Sequence, residues 1–419
     1  MAEHQLTVAV IATLDTKGPE ALLLADLIRR RGANARIIDT GIRNHADLDF
    51  TPDVSNADVA RAGGTDIEAI QALGSRGEAI SAMSECLSVL LRDQYDKGMF
   101  SRVVVIGGLN GSLLGSAGLQ NLPFGVPKLI ITPVASGARK FAPFVGTSDV
   151  AVMHSVVDLQ GVNSFTRAIL NQGAASITGL ELPVEPQAPQ LGTVAITMNG
   201  NTTPVGMQIL GELDRSGWDV VAFHSNGVGG SSMERLAREG RFAAVIDLTT
   251  NEIVDRECGG VFPGPPSRMR SLAGSGLPMV FVPGCMDFIN MAAGSAEPGR
   301  LRTRHSPDLD LVRVTSGEAT NLARIFAESV NLHSGPVEVV APTGGFSPSA
   351  AAGGPLEDPA ADAAFLATLA QTLDPRIPLA EVPAPVNDPR VGKAVLDAFS
   401  RVTGQAGSDP AGPHLDVNP

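Results

Sequence analysis

One pattern at the start of the chain restricts its fold more than any other. A strand-like run, LTVAVIA (6–12), meets a polar turn, TLDTKG (13–18), then helically spaced apolar residues in ALLLADLIRR (21–30), then a second strand-like run, ARIIDTG (35–41). Two strands joined through a helix predict a parallel pair with a crossover. Pro19 suits a first helical turn, where a missing N–H costs little, and Gly32 suits a helix stop. The order returns in SRVVVIGGLNGSLLGSAGL (101–119), and strand runs follow in VPKLIITP (126–133) and VAVMHSVVD (150–158). Helices are expected from near Asn56, over Arg76 to Asp96, and near 163–174. Aromatic residues are only 4% of the chain, and Gly, Ala, Val and Leu dominate, which suits strands covered by helices on both faces.

The stretch LELPVEPQAPQ (180–190) is proline-rich and lacks helical periodicity, so it reads as a linker. Beyond it the grammar restarts with LGTVAITMN, WDVVAFHSNGVGG, FAAVIDLTTNE, PMVFVPGCMDFIN and VEVVAPTGG. The expectation is an α/β protein of two Rossmann-like domains, with parallel sheets flanked by helices and a ligand cleft between them. The domains span 1–182 and 191–403, joined by a linker at 183–190, with a disordered tail at 404–419.

A formal charge of −13 argues against general nucleic-acid binding, which needs a basic surface. Cys86, Cys258 and Cys285 are far apart and form no CxxC, so neither a disulfide framework nor a cysteine zinc site is expected. No apolar run reaches the ~18 residues of a membrane helix. The first residues lack the basic start and apolar core of a signal peptide. A cytoplasmic location is therefore expected.

Candidate chemistry lies where strands end, because open parallel sheets bind ligands beyond their carboxyl ends. In TLDTKG, Thr13 and Thr16 can donate to phosphate and Lys17 can neutralise it. Asp15 can hold a magnesium-bound water or a ribose hydroxyl, or simply cap the helix. In GGLNGS, Gly107, Gly108 and Gly111 free the backbone to approach a ligand, and Asn110 and Ser112 add polar groups. The alternative is a plain tight turn. Ser148 and Asp149, after Arg139 and Lys140, can complete a pocket. In the second half, His224, Glu252, Asp255 and Asp287 fall at strand ends as acid–base candidates; the alternative for Glu252 and Asp255 is to cap helices and pair with Arg256 or Arg268, and for His224 a structural role. Cys285 would be a nucleophile only with a base such as His224 or His305 nearby.

Taken in order, TLDTKG (13–18), GVPKLIITPVASG (125–137), FVGTSDVAVMHSVVD (144–158), HSNGVGGSSME (224–234), IDLTTNEIVDRECGG (246–260), GCMDFIN (284–290), RHSPDLDLVR (304–313), GGFSPSAAAGGPLEDPAAD (344–362) and NDP (387–389) cover essentially the whole chain. The series resembles the two-domain ATP-binding family that includes the N-terminal region of the tomato mosaic virus resistance protein. The resemblance implies ATP as ligand, with Mg2+ as a candidate companion, at the TLDTKG turn and the glycine loop, and assembly as a homo-oligomer. The chain departs from the family's usual GGSGGT loop: Leu109 stands where a small polar residue is usual and Asn110 where glycine is usual. Nucleotide binding, with or without ATP-dependent catalysis, is the leading expectation. The alternatives are a lyase, hydrolase or isomerase for a small acidic metabolite that needs no ATP, and a non-catalytic regulatory module.

Overall fold

A computed structural model describes residues 6–43, 49–135, 142–180 and 190–404. The expected linker apart from Gln190, the expected tail apart from Gly404, and Arg139 and Lys140 lie outside the described residues. The chain divides into two compact units, Met1–Pro186 and Gln187–Pro419.

The first unit runs β1 (Thr7–Ala12), α1 (Leu14–Arg29), β2 (Asn34–Asp39), α2 (Asn56–Ala62), α3 (Ile67–Gln71), α4 (Arg76–Asp96), β3 (Arg102–Ile106), α5 (Leu109–Gln120), β4 (Lys128–Thr132), α6 (Ala142–Val145), β5 (Ala151–His154) and α7 (Ser164–Gly179). Its five strands pair in parallel in the order β2-β1-β3-β4-β5. Alternate residues of each strand serve opposite faces. Val8, Val10, Val104, Ile106 and Ile131 pack with α1 and α7, whereas Ala9, Ile11, Val103, Val105 and Ile130 pack with α2, α4 and α5. This two-sided burial is why β3 is aliphatic from Val103 to Ile106.

Close packing of α5 on the sheet depends on a missing side chain. A Cβ added at Gly115 would overlap both methyls of Val105, which is itself fully buried. Gly115→Ala should therefore lower stability by about 1–3 kcal/mol, the usual cost of overpacking a filled core. Urea denaturation of the two proteins checks this.

The second unit runs β6 (Thr193–Met198), α8 (Thr203–Arg215), β7 (Asp219–His224), α9 (Gly229–Arg238), β8 (Ala244–Thr249), α10 (Asn251–Cys258), β9 (Met279–Gly284), β10 (Phe288–Ala292), β11 (Arg302–Ser306), β12 (Leu309–Arg313), α11 (Ser316–Asn331), β13 (Val337–Pro342), α12 (Pro359–Thr372), β14 (Leu379–Val382) and α13 (Pro389–Val402). Six strands form a parallel sheet in the order β14-β13-β9-β8-β6-β7. Helices α8 and α13 cover one face, and α9, α11 and α12 help to cover the other. A small antiparallel sheet, β10-β12-β11, is inserted after β9.

Both units are thus doubly wound α/β folds. Each begins with an inner strand, places its second strand at one edge, and then builds in the opposite direction. That reversal falls between β1 and β3 in the first sheet and between β6 and β8 in the second. Ligand crevices form at such reversals.

Candidate functional site

At the reversal in the first unit lies a pocket of about 650 Å³, within the range of small-molecule sites. The β1–α1 turn contributes Thr13, Asp15, Thr16 and Lys17, and the β3–α5 turn contributes Gly108, Leu109, Asn110 and Gly111. Ile42, Leu73, Ile80 and Leu114 give it apolar walls, and Arg43, Arg76, Asp158 and Gln160 add polar groups.

Three helices begin at this pocket, and two of them, α1 and α5, lack a side-chain cap, whereas Ser75 caps the third, α4. Side chains of Ser55, Asp66, Ser75 and Asn163 cap α2, α3, α4 and α7, whereas neither Thr13 on α1 nor Gly108 on α5 makes a side-chain cap bond. A helix start leaves its first amides without carbonyl partners in the helix. Leu14 N–H is taken by the Asp39 carboxylate at 3.0 Å. In α5 the intrahelical ladder begins with Ser112 N–H on Gly108 O at 2.9 Å, so the amides of Leu109, Asn110 and Gly111 precede it at the pocket wall. A helix start of this kind favours an anion through both its amides and its dipole.

Lys17 carries the same preference. The backbone leaves helical geometry there, with φ −130° and ψ 24°, and the residue is only 7% exposed. Its ammonium donates to the neutral Gln160 Oε1 at 3.1 Å. Buried Glu20 holds the Gly161 N–H at 2.5 Å and so fixes the loop that brings Gln160 to Lys17. A buried cation with a neutral partner is a costly arrangement that an anionic ligand would relieve.

Of the residues expected from the sequence, Thr13, Asp15, Thr16, Lys17, Gly108, Asn110 and Gly111 meet in this pocket. Gly107 and Ser112 shape the turn behind it. Ser112 is fully buried and donates to Gly107 O at 2.9 Å, and a Cβ on Gly107 would press on Gly111 at 3.0 Å. Ser148 and Asp149 do not join the pocket. They precede β5, at the amino end of the parallel sheet, while the pocket is at its carboxyl end. Asp149 accepts from Lys128 Nζ at 2.7 Å and Gly125 N–H at 2.8 Å, and Ser148 donates to it at 3.4 Å. Sequence reasoning passed over Arg43, Arg76, Asp158 and Gln160. Arg43, Asp158 and Gln160 follow β2 and β5, so strand-end position was the available signal.

The second-unit candidates separate. His224 is exposed at the end of edge strand β7, and β9, which leads into Cys285, is three strand positions away, on the order of 14 Å at ~4.8 Å per paired strand. His305 is exposed on β11, and the Cys285 thiol is fully buried, with its pKa pushed up by burial and by the Asp287 charge. Glu252 is fully buried. It accepts from Arg268 Nε at 2.6 Å and from the Gly227 and Gly230 amides at 3.0 and 3.3 Å, which anchors the start of α9. Asp255 accepts from Asn290 N–H at 2.8 Å, Phe262 N–H at 3.0 Å and Asn290 Nδ2 at 3.1 Å, and ties β10 to α10. Both carboxylates are committed to structural bonds. Asp287 alone among the four is buried with both oxygens lacking a hydrogen-bond donor.

Burial pushes the Asp255 carboxyl up to about 6, against the three donors. An acid raised above its unfolded value of about 3.9 stabilises the folded state fully below that value. The contribution is lost as pH rises through about 6. The urea-denaturation stability difference between wild type and Asp255→Asn should therefore move in favour of wild type as pH falls from 7 to 4.

Among the described residues, no helix is long and apolar enough to cross a membrane. The profile of the uncharacterised protein family (UPF0261) N-terminal domain matches residues 6–184, and that of its C-terminal domain matches residues 192–403. A UPF0261 protein of Mesorhizobium japonicum is 34% identical over 394 residues, 92% of this chain and 96% of the relative. The ToMV resistance protein Tm-1(GCR237) of Solanum lycopersicum is 30% identical over 437 residues, 98% of this chain and 56% of that protein. Among solved structures, a UDP-N-acetylglucosamine 2-epimerase aligns at TM-score 0.24 and 12% identity over 97% of this chain and 99% of its own. MurG of Acinetobacter baumannii aligns at TM-score 0.23 and 11% identity over 96% and 97%. The fold assignment rests on the sheet order.

Proposed function

The chain belongs to the uncharacterised protein family UPF0261, and on that premise we propose that its N-terminal unit binds a nucleotide, ATP foremost, in the pocket between the β1–α1 and β3–α5 turns. The observation that carries this reading is the buried Lys17 ammonium, matched with a neutral amide beside two helix starts without side-chain caps. Lys17 and the amides of Leu109, Asn110 and Gly111 take the phosphates. Arg43 and Arg76 add positive charge, and Ile42, Leu73 and Ile80 offer an apolar wall to a base.

Leu109 in place of a small polar residue does not close the turn. Leu109 lines the pocket and packs against the apolar core beneath it, while its amide belongs to the start of α5. A bound Mg2+ would neutralise phosphate charge. Mg2+ is usually held by one or two carboxylates, waters and substrate phosphates, and Asp15 and Asp158 are the two carboxylates that line the pocket. Among the described residues, no group of three or more His, Cys, Asp or Glu could hold a metal, so the ion would arrive with the nucleotide.

Isothermal titration with ATP, with and without Mg2+, tests the reading. Saturable one-site binding that weakens as salt is raised is the expected result. No heat with ATP, ADP or GTP, at a protein concentration that would detect a Kd of about 1 mM, about −4 kcal/mol, would sink it.

A further inference from the structure

The second unit has its own group of buried polar side chains without hydrogen-bond partners. Asp287 is 1% exposed, and neither of its carboxylate oxygens has a hydrogen-bond donor. The Thr250 and Ser347 hydroxyls are also fully buried and unpartnered. The three residues belong to one neighbourhood. Thr249 is in register with Gly284 across β8 and β9, and Thr250 N–H donates to Gly284 O at 3.1 Å. Cys285 N–H donates to Phe346 O at 2.8 Å, which brings the segment after β13 to the same strand ends. Ser347 is near enough to Asp287 to favour its charged form, without hydrogen-bond geometry. Arg313 Nη1 is 3.9 Å from Asp287 Oδ2 and donates instead to the Asp287 backbone carbonyl at 3.0 Å.

Two further features fall on the same spot. Cys285 has φ +60°, a left-handed conformation that costs a non-glycine residue energy and that clusters at functional sites. Residues 343–358, between β13 and α12, form a connection longer than the ~12–15 residues beyond which structureless loops are usually functional, lids among them. Ala350 and Leu356 of this loop pack on Cys285, Phe288 and Leu311 in a small apolar cluster separate from the main cores. The loop therefore covers this end of β9.

We propose that the carboxyl end of the second sheet is a second ligand site, lidded by residues 343–358, that takes a small polyol or amino alcohol whose O–H or N–H groups donate to Asp287. A carboxylate whose oxygens lack donors accepts O–H or N–H groups, and the neighbouring Thr250 and Ser347 hydroxyls can accept or donate, which suits a ligand rich in donor groups. The site is separate in residues and in chemistry from the phosphate pocket of the first unit, and it stands whether or not that pocket binds ATP.

The test follows alkylation of Cys285 in the full chain by iodoacetamide, read by peptide mass spectrometry, with ribose, glycerol, ethanolamine or acetate present. Opening of the lid should let Cys285 react at least about tenfold faster than global unfolding allows. Ribose, glycerol or ethanolamine should slow the reaction at millimolar concentration, and acetate should not. Asp287→Asn and, independently, Ser347→Ala should keep the fold by circular dichroism and lose the protection. Reaction only at the global unfolding rate, no protection by any of the three donors, or protection that persists in Asp287→Asn would each overturn the proposal; the second is the outcome expected if only water reaches Asp287, and the third if the ligands bind elsewhere.

Discussion

Replacing Arg268 with alanine is expected to unfold the C-terminal unit or bring it to the edge of unfolding. Arg268 is 1% exposed, and its guanidinium gathers three buried carboxylates. Nη1 and Nη2 grip Asp247 at 2.6 and 2.7 Å, Nε meets Glu252 at 2.6 Å, and Nη1 meets Glu234 at 3.0 Å. These partners come from β8, α10 and α9, so one side chain joins three elements. Burial already pushes the Glu234 carboxyl up, and the Arg268 charge is among the groups that hold it down. Removing one member of a buried ion pair costs about 3–5 kcal/mol, against a typical domain stability of ~5–15 kcal/mol, and here three acids lose their counter-charge together. The only tryptophan, Trp218, is buried in this unit against Phe399 at 5.3 Å and reports its unfolding by fluorescence. The urea midpoint read from Trp218 should collapse in Arg268→Ala and fall less in Arg268→Lys, which keeps a charge without the fork. An unchanged midpoint in Arg268→Ala would show that the cluster is dispensable.

Lys17→Met is expected to separate stability from binding. Methionine keeps most of the buried stem and removes a charge whose hydrogen bond goes to the neutral Gln160 amide. Hydrogen bonds to charged groups contribute about 1.5–3 kcal/mol, so ATP affinity should fall roughly 10- to 150-fold. The free protein should melt at the same temperature or higher, because a cation hydrogen-bonded to a neutral amide no longer has to be buried. Titration calorimetry reads the first effect and differential scanning calorimetry the second. Lower stability with unchanged affinity would make Lys17 a structural residue and would remove the main support for the nucleotide reading.

Much of the architecture was legible because strand and helix periods differ. The strands from LTVAVIA to VEVVAP read correctly, and α2 and α4 begin where Asn56 and Arg76 predicted. The small antiparallel sheet and α12 were not legible. β11 (RTRHS) is polar and mostly exposed, so it carries no apolar alternation, and α12 begins inside a stretch rich in Gly, Ala and Pro. Helical α1 also starts earlier than Pro19 suggested, because TLDTKG is itself a helical turn, broken at Lys17.

The site was half legible, for a related reason. Residues next to a strand's carboxyl end could be named from the local string, as with Thr13, Lys17 and Gly111. Asp149 misled because its loop looks like a ligand loop, whereas it leads into β5 rather than out of it; polarity carries no information about which end of the sheet a loop occupies. Arg76, at the start of α4, reaches the pocket through packing that no local pattern announces. Glu252 and Asp255 are acids at a strand end, as an acid–base site would have them, but a string of letters does not reveal that Arg268 and Asn290 occupy their oxygens.

A ribosome releases β1 before the other strands of its sheet, yet β1 is an inner strand, flanked by β2 and β3. Its second neighbour begins only at Arg102, after α2, α3 and α4 have been made. Until then the nascent strand has one unpaired edge and apolar residues on both faces, a combination that invites chaperones or stray strand pairing. β6 restarts the same sequence of events, waiting for β8 in turn. During synthesis, each half of the molecule must pass through its own interval of exposure before its sheet can close around the strand that came first.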